Sequence, residues 1–114
     1  MKLTIAIIRP EMLQSVQDAL SDKEVYLMTV SNVHGCGRQR GYTEQFRGGQ
    51  IQIRLLPKMK LEIAVNEDFV ATTIETISSV AKTGKIGDGK IFVLPLEQVH
   101  RIRTGETGNV AIGP

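Results

Sequence analysis

Leu3-Thr4-Ile5-Ala6-Ile7-Ile8 is a near-continuous apolar run rich in β-branched residues, and it reads as a strand buried on both faces. Pro10 suits the first turn of a helix, and Leu13, Val16, Ala19 and Leu20 then recur at helical spacing. Val25 to Val33 reads as a second strand. Lys60 to Val65 reads as a third, with Leu61, Ile63 and Val65 on one face and Glu62 and Ala64 on the other. Phe69 to Ala81 is a predicted helix with a stripe of Val70, Ile74, Ile77 and Ala81. Asn66 or Asp68 is positioned to cap its start and Gly84 its end. Lys90 to Pro95 is the last strand. The order β-α-β-β-α-β predicts an α+β, ferredoxin-like sandwich with both helices on one face of a four-stranded antiparallel sheet. The opposite face then needs a cover. Both alternating sets of Ile5 to Ile8 and of Ile91 to Leu94 are apolar, and no remaining segment is large enough. A self-associating sheet is the expected solution.

Size and composition narrow the class. The 114 residues accommodate one domain, expected to span 1–114, with a modest private core. The formal charge of +2 is too small to imply nucleic-acid binding by itself. No apolar run approaches the roughly 20 residues that span a bilayer, and the start lacks a signal-peptide pattern. Cys36 is the single cysteine and has no internal disulfide partner, which fits a reducing compartment. A cytoplasmic domain is expected.

Two runs carry the chemistry. Thr83-Gly84-Lys85-Ile86-Gly87-Asp88-Gly89-Lys90 combines glycines, which let backbone N–H groups approach a ligand, with lysines that neutralise phosphate charge. Arg101-Ile102-Arg103-Thr104-Gly105-Glu106-Thr107-Gly108 follows, and on an extended strand Arg101 and Arg103 would project from one side. Phosphate binding is the first expectation, although the glycine run is neither a Walker A loop nor a dinucleotide fingerprint. A third feature is the long connection from Gly35 to Lys58, since hairpin loops usually take two to five residues. It carries Arg38, Arg40, Arg47, Arg54 and Lys58 against Glu44 alone, which suggests a flexible basic arm for an anionic ligand or an acidic groove on a partner.

The wording of these runs, with Ile91 to Val99 between them, closely resembles the C-terminal half of the PII signal-transduction proteins. Met1 to Pro10, Met28-Thr29-Val30 and Gly35-Cys36-Gly37-Arg38-Gln39-Arg40-Gly41 resemble the N-terminal half, so the resemblance covers almost the whole chain. It implies a homotrimer with the sheets lining the centre and ATP or ADP in clefts between subunits. By that resemblance Gly87, Asp88, Gly89 and Lys90 wrap the phosphates, and Arg101 and Arg103 of a neighbouring subunit clamp them. Met28, Thr29, Glu62 and Ala64 match positions around adenine and ribose, and Gly37, Arg38 and Gln39 match the loop base. Gln39 would ligate a Mg²⁺ ion held by the ATP phosphates, which recruits 2-oxoglutarate, and Lys58 would pair with a carboxylate of that effector. The connection at about 36–56 corresponds to the partner-binding T-loop. An ammonium transporter is the leading target, with Arg47, Arg54 and the apex residue Ile51 as partner-binding residues. Contact with a membrane is expected only through such a transporter. Glutamine synthetase or a nitrogenase-related target is the alternative.

Several positions depart from the family pattern. Ile51 stands where many bacterial members carry a uridylylated tyrosine, and Gly49 where cyanobacterial members carry a phosphorylated serine. Neither has a hydroxyl, so regulation by ligands alone is expected, with Tyr42 the only tyrosine in the loop. Glu24 and Leu27 replace glycines, and Leu27 adjoins the expected adenine pocket.

Other classes stay open. A weak ATP-hydrolysing or phosphotransfer enzyme is one, but the two imidazoles, His34 and His100, lie outside the glycine run, and no catalytic role is expected. Nucleic-acid binding on the sheet normally needs stacking aromatics, and these make up only 4% of the chain, with no Trp. His34 and Cys36 supply two soft metal ligands where a structural zinc normally takes four.

Overall fold

A computed structural model describes residues 1–37, 42–46, 49–53 and 55–113, with the backbone alone for 42–46 and 49–53. Its strands are β1 (Lys2–Ile8), β2 (Thr29–Gly35), β3 (Tyr42–Phe46), β4 (Gly49–Ile53), β5 (Leu56–Val65) and β6 (Lys90–Pro95). Its α-helices are α1 (Leu13–Asp22), α2 (Glu67–Ala81) and the short α3 (Asn109–Ile112), with a 3₁₀ turn at Pro10–Met12. The main sheet has the order β2-β5-β1-β6, and every neighbouring pair is antiparallel. That is the ferredoxin-like arrangement expected from the order of elements.

Alternation along the strands decides which side each residue takes. Thr4, Ala6 and Ile8 of β1 and Leu61, Ile63 and Val65 of β5 are buried beneath the helices. Val16 and Leu20 of α1 and Ile77 and Ala81 of α2 complete this core. Fully burying each large aliphatic side chain contributes about 1.5–3 kcal/mol. The register pairs Ile5 with Glu62 and with Phe92, and Leu3 with Ala64 and with Leu94, so these residues share the face without helices. There Phe92 and Leu94 are exposed, as expected for an apolar face that lacks its cover within one chain.

The structure corrects four local expectations. The second strand begins at Thr29 rather than Val25, because Glu24 has φ 64°, a left-handed conformation that breaks the extended chain just before Val25. Asn66 stands at the N-cap of α2, but its side chain makes no capping hydrogen bond. Its Nδ2 instead donates to the carbonyls of Asn109 (3.2 Å) and Gly113 (3.0 Å), holding the C-terminal segment. Gly84 does not cap α2, which ends at Ala81 with an extended Lys82. Finally, the basic connection is partly ordered as a ladder: β3 pairs with β4 from Tyr42↔Ile53 to Phe46↔Gly49. Tyr42, Thr43 and Phe46 followed by Ile51 and Ile53 favour strands, a signal outweighed in the sequence by glycine and charge. Among the described residues no helix is long and apolar enough to cross a membrane.

Candidate functional site

The 83–90 loop connects α2 to β6, and glycine carries its sharp turns: Gly84, Gly87 and Gly89 have φ of 87°, 106° and 102°. Gly89 also permits a close approach, since a Cβ there would sit 1.7 Å from the carbonyl oxygen of Ile7. Asp88 organises the loop from within. Its carboxylate accepts the backbone N–H of Thr83 (2.8 Å), the N–H of Gly84 (2.9 Å) and the Thr83 hydroxyl. Arg9 adds an ion pair from the far end of β1, with Nε donating to Asp88 Oδ1 at 3.1 Å. These donors, with the Thr83 hydroxyl foremost, hold the Asp88 carboxyl well below its ordinary value of 3.8.

Beside the loop opens a cleft of about 740 Å³. That is within the range of small-molecule sites. Its walls include Gly37, Lys58, Gly87, Asp88, Gly89 and Lys90, which sequence had grouped for phosphate and effector binding. Ile7, Gly35, Cys36, Leu56 and Phe92 also line it. Lys58 donates from Nζ to the carbonyl of Gly87 at 2.8 Å. Burial, and then the positive charge of Arg9, lower the pKa of Lys58 from its ordinary value. The cleft suits a polyanion: its rim carries the lysines 58, 85 and 90, and the amides of Gly87 and Asp88 have no hydrogen-bond partner among the described residues.

The remaining expected site residues lie elsewhere. Thr29 pairs in register with Glu62, and Ala64 with Leu3, toward the opposite end of the face without helices. Four residues separate Leu3 from Ile7, about 13 Å along a strand. Glu62 is 3.7 Å from Lys60, and Met28 packs against the core. Leu27 and Arg101 both flank Gly113.

The alternating projection of Arg101 and Arg103 is overturned, because residues 102–104 form a turn rather than a strand. Arg101 Nη1 donates to Glu106 at 3.0 Å, and its Nη2 to the carbonyls of Val110 (3.2 Å) and Ala111 (3.4 Å). Arg103 is exposed in the turn. His100 bridges to Thr107 within the same turn and does not line the cleft. Arg38, Gln39, Arg47 and Arg54 lie outside the described residues, as does the side chain of Ile51. Among the described residues, His34 and Cys36 gather no third metal-ligand side chain. Sequence reading missed Arg9, whose position just before Pro10 reads only as the end of a strand; no local pattern announces a partner 79 residues away.

Comparison with known proteins assigns this architecture. The family model for Nitrogen regulatory protein P-II matches residues 1–106. Nitrogen regulatory protein P-II 2 of Methanothermobacter thermautotrophicus is 53% identical over 98% of this chain and 97% of its own length. Nitrogen regulatory protein P-II of Klebsiella oxytoca and P-II 1 of Escherichia coli (strain K12) are each 50% identical over 98% of this chain and 100% of theirs. These relatives are named as regulatory proteins. With a matching family model over nearly its full length and relatives at half identity, the chain belongs to the nitrogen regulatory protein P-II family.

Proposed function

We propose that this protein, a single P-II domain over 1–114, is a ligand-operated cytoplasmic regulator that binds ATP or ADP in a cleft completed by a second copy of itself. The observation that carries the reading is the division of the expected site between two ends of one apolar face. A glycine-loop cleft lies beside Ile7 and Lys90, and Thr29, Glu62, Ala64 and Arg101 lie outside it. A head-to-tail contact brings one copy's loop against the next copy's second set, and such a contact closes into a ring when the rotation between copies closes. The number three follows the P-II resemblance. The cleft fits a nucleotide's phosphates, because its loop offers lysines, amides without a partner among the described residues, and at Gly89 a backbone that a Cβ would drive into the Ile7 carbonyl.

With ATP bound, Mg²⁺ would be held by phosphate oxygens and Gln39, and 2-oxoglutarate would join it beside Lys58. The metal would supply a charge bridge between nucleotide and effector. Occupancy would set the arm at 36–56, which docks through Arg47, Ile51 and Arg54 on a nitrogen-assimilation target. An ammonium transporter is the leading one, ahead of glutamine synthetase or a nitrogenase-related protein. No catalytic role is assigned.

Calorimetry with ATP, ADP and Mg²⁺-ATP plus 2-oxoglutarate, run alongside light scattering, tests this reading. Trimers that bind both nucleotides are expected. A monomer, or indifference to adenine nucleotides, overturns the reading. Gln39→Ala and Lys58→Ala should abolish 2-oxoglutarate binding, and retention in both refutes the proposed coordination. Because Lys58 also ties Gly87, ADP affinity of Lys58→Ala separates loss of the loop from loss of the effector contact.

A further inference from the structure

We propose that Arg9 is a positioning residue that presets the glycine loop for a polyphosphate, acting through Asp88 and the carbonyl of Ile86. The proposal deepens the nucleotide reading above and rests on it. Arg9 sits at the end of β1, just before the 3₁₀ turn, with its side chain only 15% exposed. Its planar group forks: Nε donates to Asp88 Oδ1 (3.1 Å) and Nη2 to the carbonyl of Ile86 (2.7 Å). A guanidinium holds two acceptors in fixed relative geometry, which an ammonium does not. Asp88 Oδ2 in turn receives the N–H groups of Thr83 and Gly84. One side chain from β1 is thereby tied to both ends and the middle of the loop.

The consequence for a ligand follows from the planar trans peptide, in which C=O and N–H point in opposite directions. Tying the Ile86 carbonyl to Arg9 turns the N–H of Gly87 away from Arg9. Tying the Gly87 carbonyl to Lys58 turns the N–H of Asp88 away from Lys58. Neither of these amides has a hydrogen-bond partner among the described residues. Two carbonyl oxygens that would repel phosphate are thus occupied by cations, and two donors are left for it. Arg9 is not among the residues lining the cleft, so it supports the loop from behind rather than touching the ligand.

The test uses the full-length protein and its Arg9→Met, Arg9→Lys, Asp88→Asn and Arg9→Met/Asp88→Asn variants. In the ligand-free state, amide hydrogen exchange at Thr83 and Gly84, whose N–H groups donate to Asp88, should accelerate in Arg9→Met while core amides are unchanged. ATP affinity by calorimetry should fall about tenfold or more in each single variant, the size of one charge-assisted hydrogen bond. The double variant should be little worse than the weaker single, and Arg9→Lys should recover only part of the loss. Wild-type loop exchange and ATP affinity in Arg9→Met overturn the proposal, as do fully additive losses or complete rescue by lysine. If core exchange also accelerates in Arg9→Met, Asp88→Asn decides: unchanged Thr83 and Gly84 exchange there overturns the proposal. Wild-type protein that ignores ATP overturns the nucleotide reading instead, and the exchange of Thr83 and Gly84 then judges Arg9 alone.

Discussion

The loop at 83–90 and the turn at 101–108 are both rich in glycine and bear two basic residues each, yet they are built in opposite ways. The first adds distant anchors to its own Asp88 bonds: Arg9 reaches Asp88 across 79 residues and Lys58 reaches Gly87 across 29. The second is held by itself. Gly105 N–H donates to the Arg101 carbonyl, Arg101 pairs with Glu106, the Thr104 hydroxyl donates to Glu106, and His100 bridges to Thr107. A loop assembled by distant strands reports on the whole sheet, whereas a self-bonded turn keeps its shape regardless of its surroundings. The difference bears on function, because the cleft is formed by the first kind of segment.

Glycine substitution gives the largest expected separation between the two. Gly89→Ala forces its Cβ onto the Ile7 carbonyl where β1 pairs with β6. Backbone strain and displacement should cost about 3 kcal/mol or more. Gly105 has φ 73° and nothing within 4 Å of a Cβ. Gly105→Ala should therefore cost only the left-handed penalty, about 1–2 kcal/mol. Urea unfolding of both variants checks this, and equal losses would erase the distinction.

Acid should distinguish the segments next. The Asp88 carboxyl lies below its ordinary 3.8 in the folded protein, so it contributes stability that is fully present above that value. The contribution disappears as pH falls through the lower folded value. Melting temperatures of wild type should therefore fall more steeply below about pH 4 than those of Asp88→Asn, which starts less stable at neutral pH. Parallel curves would mean that Asp88 is not preferentially ionised by the fold.

The smallest effect is expected in the turn. The Arg101–Glu106 pair is 35% and 38% exposed. Glu106→Gln should cost about 0.2–1 kcal/mol. It should leave amide exchange at Thr83 and Gly84 unchanged. Altered exchange in the glycine loop would couple two segments that share no contact described above.

Much of this architecture was legible without coordinates. The near-continuous apolar run before Pro10, the stripes on α1 and α2 and the alternation of Leu61, Ile63 and Val65 fixed the order of elements and the buried side, because period alone decides which face is apolar. The apolar second face was legible for the same reason. Gly37, Lys58, Gly87, Asp88, Gly89 and Lys90, named from the family resemblance, line one cleft. The left-handed Glu24 was visible only as a departure from a glycine, and the β3–β4 ladder lay beneath a glycine-rich, basic composition.

By itself, then, the chain's periodicity determined the sandwich, and its glycine and lysine spacing marked the loop that borders the cleft. Tertiary structure alone decided that Asp88 faces Arg9 and the loop's own amides, that Lys58 holds a carbonyl of the same loop, and that Arg101 turns back onto Glu106 and the C-terminal segment. The reason is physical: hydrophobic period is a property of neighbours along the chain, whereas the partner of a charge is set by which distant strands the sheet lays side by side.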